Sequence, residues 1–321
     1  MLKKPILASL TVALLAACSI PQPAARTEIL WDRYGVPHIF APDAESLYHA
    51  FGWAQMRAHG DLILRLYGEA RGRAAEYWGA DNLESDRWVR QMGGPARARQ
   101  WYAALTPDER RHIDAFVAGV NQYAHDHADR IADEVEVVLP VEGADILAHS
   151  QRVFQFEFIA GRAGIEGAAD RWAKADGGSN AWAIGPKRSA SGRAMLVANP
   201  HLPWSVFFTW FEAQLTSPEV NAYGATLVGM PLLGIAFNDR LGWTHTVNTL
   251  DGLDLYELTL AEGGYRYDGG VRPFDTEEQI IKIKKAIAPE RSGARGVPAP
   301  RRARGALSLS KGASDGAWRG A

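Results

Sequence analysis

The hydrophobic pattern of this chain changes once, at a Gly-Gly-Ser sequence near its middle, and this change limits the folds that it can adopt. In the first half apolar residues recur at helical spacing, as in Leu47, Ala50, Phe51 and Ala54. After Ser179, short apolar runs alternate with turn residues, which is typical of strands. The sequence therefore predicts an α+β protein in which a helical region precedes a β-rich region.

Individual elements can be placed within each half. Apolar stripes at 47–54 and 63–78, separated by Gly60, predict two helices that pack together. Thr106 has the features of a helix cap, since Pro107 follows it and an acid lies three residues after it. In the second half we predict strands at 194–198, 207–215, 220–228, 234–237, 243–247, 255–260 and 279–284.

The N-terminus resembles a bacterial lipoprotein signal peptide. Lys3 and Lys4 precede an apolar run that is too short to span a bilayer and that ends in small residues before Cys18, the single cysteine of the sequence. We expect residues 1–17 to be removed and Cys18 to be lipidated, which anchors the chain to the membrane. Ser19 favours the outer membrane, so the expected location is the cell envelope, on the periplasmic side. The alternative is a soluble secreted protein with an incidental cysteine.

Composition and charge narrow the class of ligand. The chain is 47% hydrophobic, with a net charge of -2 and a pI of about 6.5, so no basic surface indicates nucleic acid. Small molecules are the expected ligands. Residues 288–321 carry seven Lys or Arg against two Asp or Glu and few large apolar residues, which predicts a disordered tail. Translation out of the ancestral reading frame is an alternative origin for this tail.

Ser179 is the candidate nucleophile. A serine hydroxyl needs a base, and cleavage of the bond before Ser179 would free its own α-amine for that role. This amine titrates near pH 8. Gly177 and Gly178 allow a strained turn in which the serine can attack the preceding carbonyl. A glycine-rich turn with an exposed serine is the simpler interpretation of these three residues alone.

Four motifs extend this interpretation: Tyr34-Gly35-Val36-Pro37-His38-Ile39, Gly178-Ser179-Asn180-Ala181-Trp182, Asn199-Pro200-His201 and Trp243-Thr244-His245-Thr246-Val247. Together they resemble the penicillin acylase family of N-terminal nucleophile hydrolases over residues 29–285. The resemblance implies an αββα sandwich, here incomplete, made by a precursor that cleaves itself. The helical region 18–160 would be the first chain, 161–178 the spacer, and 179–287 the start of the second chain, with the two chains remaining together as a heterodimer.

The resemblance also implies roles for individual residues. Ser179 would attack an amide carbonyl with its own amine as the base, after autocleavage of the Gly178–Ser179 bond. His201 would orient that amine through its backbone and side chain. A histidine at this position favours acyl-homoserine-lactone and cephalosporin substrates, although a purely structural histidine remains open. The backbone N–H of Val247 would form half of the oxyanion hole.

A metal site and a substrate pocket are weaker expectations. Asp251, Leu253 and Asp254 resemble the stretch that binds a structural calcium ion in some members, and hard oxygen ligands suit that ion. A plain acidic turn explains them equally well, and the chemistry requires no cofactor. The candidate wall residues of the pocket, which core packing also explains, are Leu202, Trp204 and Phe208.

Two functional hypotheses follow. The first is an acylase that hydrolyses the linear amide of a small N-acyl compound, of the acyl-homoserine-lactone or β-lactam type. The second is a truncated, catalytically inactive remnant that persists as a lipid-anchored envelope protein. The second arises because family members continue beyond the position of Lys285, where they supply an asparagine and an arginine that this chain does not provide.

Overall fold

The computed structural model describes residues 26–158, 178–246, 256–285 and 308–311. Its α-helices all belong to the first half of the chain. They are α1 (Ala44–Ala70), α2 (Ala74–Trp78), α3 (Leu83–Gln91), α4 (Gly94–Ala104), α5 (Pro107–Asp126), α6 (Asp133–Glu136) and α7 (Gly143–Gln151). A π-helical segment, Arg152–Glu157, continues α7. In the described part, no helix is long and apolar enough to cross a bilayer.

Two strands precede the candidate cleavage point in sequence, and the other described strands begin at Gly178 or later. They are β1 (Glu28–Trp31), β2 (Pro37–Phe40), β3 (Gly178–Ile184), β4 (Met195–His201), β5 (Trp210–Thr216), β6 (Asn221–Leu227), β7 (Ile235–Phe237), β8 (Gly242–Trp243), β9 (Leu260–Ala261), β10 (Gly264–Tyr267), β11 (Gly270–Arg272), β12 (Asp275–Glu278) and β13 (Ser308–Lys311). The largest sheet has the order β1-β2-β5-β6-β7-β8. The pair β2–β5 is parallel and its other pairs are antiparallel. The predicted α+β class is confirmed.

The two packed helices predicted at 47–54 and 63–78 correspond to the two arms of the kinked helix α1, which ends at Ala70, and to the short helix α2 that follows it. Helix α1 is interrupted by a kink at His59, whose φ of -141° and ψ of 33° are not helical. Met56 and Ile63, on either side of the bend, are both buried. The break predicted at Gly60 therefore lies next to the kink, and the sequence did not reveal the further break between α1 and α2.

The close partner of α1 is α5. Their contact is made at two glycines, Gly52 and Gly119. A Cβ atom at Gly52 would overlap the backbone carbonyl of Phe116, and one at Gly119 would overlap the backbone carbonyl of His49. The two backbones can therefore approach this closely only because both positions lack a side chain.

The start of α5 confirms the cap predicted from the sequence. The Glu109 backbone N–H donates to Thr106 Oγ1 at 3.3 Å, and the Thr106 N–H donates to Glu109 Oε2 at 2.9 Å. Pro107 occupies the first helical position, as expected. This reciprocal capping satisfies two donors that a helix end otherwise leaves open.

One face of the six-stranded sheet packs on α1. Ile39 from β2 and Phe211, Ala213 and Leu215 from β5 are buried in the main core, where the Phe211 ring lies 6.0 Å from that of Phe51. The alternation along β5 is the reason, since its even-numbered residues face the other side and are more exposed. Segments from both sides of Ser179 therefore build the same sheet and the same core.

The predicted strands agree with the structure over part of the second half. Those at 194–198, 207–215, 220–228 and 234–237 correspond to β4, β5, β6 and β7 with shifted ends. Of the predicted strand 243–247, Trp243 lies in β8, 244–246 lie outside strands and 247 is not described. Of 255–260, Leu260 lies in β9, 256–259 lie outside strands and 255 is not described, and 279–284 lie outside strands. Within the tail expected to be disordered, β13 pairs antiparallel with β12, and its Ser-Leu-Ser-Lys sequence has the alternation of a strand.

Candidate active site

Strands β3 and β4 form a hairpin that brings two of the sequence motifs together. Its register pairs Gly178 with His201, Ser179 with Pro200 and Asn180 with Asn199. Residues 19 to 23 positions apart in sequence thus lie side by side at the open end of the hairpin. The predicted association of Gly178, Ser179 and His201 is what the structure contains.

The Ser179 hydroxyl lies between two backbone groups. It donates a hydrogen bond to the carbonyl oxygen of Gly178, with an Oγ–O distance of 2.7 Å. The backbone N–H of His201 donates to Ser179 Oγ from the neighbouring strand at 3.4 Å. The hydroxyl is therefore held against the peptide bond that precedes it, and a neighbouring N–H points at its oxygen.

The backbone at Gly178 differs from the strained turn that we expected. Gly178 is the first residue of β3 and does not have a positive φ. A Cβ atom built there would meet no atom of the described residues within 4 Å. The space around Gly178 is thus open, and its extended conformation comes from pairing with β4. Gly177 lies outside the described residues.

The ring of His201 contacts two amides. Nε2 lies 3.1 Å from Asn180 Nδ2 and 3.1 Å from Asn199 Nδ2. All three side chains are exposed. Both asparagines belong to the motifs found in the sequence, but no role was predicted for either of them.

Phe208, one of the predicted pocket residues, belongs to an apolar cluster next to the π-helical segment. Phe208 lies 5.1 Å from Phe207 and 6.0 Å from Phe158, measured between ring centroids. Trp204 is fully exposed and lies outside this cluster, and Leu202 is half-buried. The members of the cluster are Val153, Leu227, Met230, Phe158, Phe207, Phe208 and Trp210.

Three buried polar side chains of the helical region hold the turn that follows β6. Gln55 donates to the carbonyl of Met230 and accepts from the N–H of Gly229, both at 2.9 Å. The Tyr67 hydroxyl donates to the carbonyl of Gly229 at 2.7 Å. His149 Nε2 donates to the carbonyl of Val228 at 3.3 Å. We call Gln55, Tyr67 and His149 the turn clamp.

The turn clamp was not predicted from the sequence. The available sequence signal was a polar residue, Gln55, in an apolar stripe. The structure shows that Gln55 is completely buried. Burial, together with the negative charge of Asp145, raises the pKa of Tyr67 well above its usual value. Burial, reinforced by the positive charge of Arg152, lowers the pKa of His149 to about 3. Both side chains are therefore neutral at physiological pH.

Several predicted site residues cannot be located, because Cys18, Val247, Asp251, Leu253 and Asp254 lie outside the described residues. No cluster of three or more His, Cys, Asp or Glu able to hold a metal ion occurs in the described ranges. The stretch predicted to bind calcium, residues 251–254, lies outside these ranges, so the calcium site stays a prediction.

Comparison with known proteins defines the family. A model of the penicillin amidase family matches residues 26–297. The chain belongs to the penicillin amidase family. It is 31% identical, over 84% of its length, to the acyl-homoserine lactone acylase PvdQ of Pseudomonas fluorescens Pf-5, of which it covers 39%. It is 26% identical, over 88% of its length, to the penicillin acylase 2 proenzyme of Pseudomonas sp. SE83, of which it covers 43%.

The chain thus spans about two fifths of the length of these curated relatives. Among solved structures, a thermostable penicillin G acylase from Alcaligenes faecalis matches 40% of this chain and 73% of its own, at 24% identity and a TM-score of 0.35.

Proposed function

We propose that this chain is a precursor that cleaves its own Gly178–Ser179 bond and then uses Ser179 as an N-terminal nucleophile against amides. The observation that carries the proposal is the position of the Ser179 hydroxyl. Its oxygen lies 2.7 Å from the carbonyl oxygen of Gly178 and accepts from the His201 N–H at 3.4 Å. The hydroxyl therefore lies beside the carbonyl group that it would attack, in contact with a backbone N–H of the neighbouring strand.

The cleavage can be written with all atoms accounted for. Ser179 Oγ adds to the carbonyl carbon of Gly178, the bond to the Ser179 nitrogen breaks, and that nitrogen takes the proton that the hydroxyl loses. Water then hydrolyses the resulting ester. The products are a carboxylate on Gly178 and a free α-amine on Ser179.

The new amine supplies the base that the Ser179 hydroxyl needs. With a pKa near 8, a useful fraction of it is neutral at physiological pH and can take the proton from Oγ. Oγ attacks the carbonyl of an amide substrate, the amine part leaves, and water hydrolyses the acyl-enzyme. The backbone N–H of Val247 is our proposed donor to the oxyanion, and this chemistry needs no cofactor.

The two chains produced by cleavage are proposed to remain a heterodimer. The turn clamp joins α1 and α7 to the turn after β6 by buried hydrogen bonds. Strand β2 precedes the cleavage point and β5 follows it, and the two pair in parallel through His38, Ile39 and Phe40 of β2. These contacts do not depend on the Gly178–Ser179 bond, so its loss leaves them in place.

The proposed substrate is a small N-acyl compound, either an acyl-homoserine lactone or a β-lactam. The names of the relatives support both classes. The cluster around Phe208 supports an apolar acyl group, since Val153 and Phe158 come from the first region and Phe207 and Phe208 from the second. Release of homoserine lactone, or of the β-lactam amine, measured by mass spectrometry distinguishes the two classes.

Intact mass of the purified chain tests the cleavage. We expect two fragments, the second beginning at Ser179, and a single uncut chain for Ser179→Ala. Ser205→Ala is the matched control, because Ser205 is exposed and lies shortly after β4. A wild-type chain that stays uncut while folded would refute the proposal and favour the inactive remnant.

The lipid anchor is proposed separately, on the sequence of residues 1–18. Metabolic labelling with a palmitate analogue should mark the wild-type chain and not Cys18→Ala. Equal labelling of both, or of neither, would exclude Cys18 as the lipidated residue.

A further inference from the structure

The two faces of the β3–β4 hairpin carry different groups. In an antiparallel pair, directly opposed residues have their side chains on the same face, and successive residues alternate between faces. Ser179 is opposed by Pro200, whereas Asn180 is opposed by Asn199. His201 lies two residues after Asn199 and therefore shares its face. Burial follows the same alternation, since Ser179 and Pro200 are half-buried and the other three are exposed.

The ring of His201 and the hydroxyl of Ser179 consequently lie on opposite faces of the hairpin. The contact between these two residues is made by the backbone N–H of His201, which donates to Ser179 Oγ at 3.4 Å. In this arrangement the imidazole cannot take the hydroxyl proton without leaving its face of the hairpin. The ring must contribute in another way.

The contacts of the ring identify that contribution. Asn180 Nδ2 and Asn199 Nδ2 each lie 3.1 Å from His201 Nε2. An amide NH2 group can only donate, so Nε2 is the acceptor and carries no proton. A neutral imidazole has one N–H, which then lies on Nδ1.

We propose that Asn180 and Asn199 are positioning residues that fix the His201 ring in its Nδ1–H tautomer. The fixed ring keeps the end of β4, and with it the His201 backbone N–H, against Ser179 Oγ. The imidazole itself neither takes up nor gives away a proton during cleavage. The role of the ring in holding the His201 N–H against Ser179 Oγ rests on the self-cleavage proposed above. The assignment of the tautomer does not depend on that proposal.

The tautomer is measured on the full chain by long-range 1H–15N correlation spectra of 15N-histidine-labelled protein, with His201 assigned by its loss in His201→Gln. We expect Nδ1–H in the wild type. In Asn180→Ala/Asn199→Ala we expect signal from the Nε2–H form to appear, because the two donors that excluded that proton are gone. Asn221→Ala, an exposed strand asparagine outside the hairpin, should match the wild type. A wild-type ring protonated on Nε2 would overturn the proposal.

The rate of self-cleavage against pH tests the role in catalysis. Glutamine can still accept from the two amides, so we expect His201→Gln to slow cleavage less than tenfold and His201→Leu more than tenfold. The pH at half-maximal rate should be unchanged in both. Equal loss in both variants, with the same change in the shape of the pH–rate profile in both, would identify the imidazole as the base and contradict the proposal.

The tautomer proposal can be decided even if a variant is destabilised or the chain does not cleave itself. If Asn180→Ala/Asn199→Ala has a lower melting temperature than the wild type, the wild-type spectrum alone decides, since Nδ1–H supports the proposal and Nε2–H overturns it. If the wild type does not cleave, the proposed function fails, while the tautomer measurement still decides the inference.

Discussion

Replacing His149 with glutamine should change how the stability of this protein depends on pH. The His149 ring is completely buried between Tyr67 and Phe207, with centroid distances of 5.7 Å and 6.0 Å. Nε2 faces the carbonyl of Val228 and therefore carries the proton. Nδ1 is buried without a hydrogen-bond partner among the described residues, so a second proton on the ring would be unsatisfied.

The sign and size of the effect follow from the pKa of His149. Burial lowers it to about 3 in the folded protein, against about 6.5 for an unfolded histidine. The unfolded chain thus binds this proton more readily, so stability is complete above pH 6.5 and falls as the pH drops towards 3. At about 1.36 kcal/mol for each pKa unit, the loss is about 2 kcal/mol between pH 7.5 and pH 5, and on the order of 5 kcal/mol at pH 3.

Urea unfolding at a series of pH values measures this loss. Glutamine keeps an N–H donor for the Val228 carbonyl but cannot titrate, so His149→Gln should lose about 2 kcal/mol less than the wild type between pH 7.5 and pH 5. His59, whose pKa is also lowered by burial, is present in both proteins and cancels in the comparison. Parallel curves for the two proteins would refute the reasoning.

Three further substitutions test packing and buried hydrogen bonds by the free energy of unfolding at pH 7.5. Tyr67→Phe leaves the buried carbonyl of Gly229 without its donor and should cost about 1–3 kcal/mol; no change would mean that water replaces the hydroxyl. Gly119→Ala forces a methyl group against the carbonyl of His49 and should cost about 1–3 kcal/mol or prevent folding. Asp86→Ala removes the carboxylate that accepts from two backbone N–H groups at the start of α2, and we expect a similar loss in the free energy of unfolding. A stability equal to the wild type would contradict the role of that carboxylate as a cap.

Local signals predicted the features that depend on a few neighbouring residues. The cap at Thr106 was found because its residues are adjacent in sequence and act on each other. The association of Ser179 with His201 was expected from the resemblance of these motifs to the penicillin acylase family. In both cases the information lies within a short stretch of sequence or in a pair of short motifs.

Features made by distant segments were not predicted. The turn clamp joins residues more than 70 positions apart, and a buried Gln55 by itself does not reveal which backbone groups it meets. The face on which the His201 ring lies depends on the register of β3 and β4, which the strand pattern alone did not define because β4 begins later and extends further than predicted.

The parallel pairing of β2 with β5 determines how a cut protein would behave. β2 precedes Ser179 and β5 follows it, and the two strands are neighbours inside one sheet whose face is buried against α1. A break before Ser179 would therefore leave the hydrodynamic radius and the elution volume of the folded protein unchanged. Only a denaturing method can separate the two pieces, so a native column or light scattering would report a cleaved and an intact molecule as the same particle.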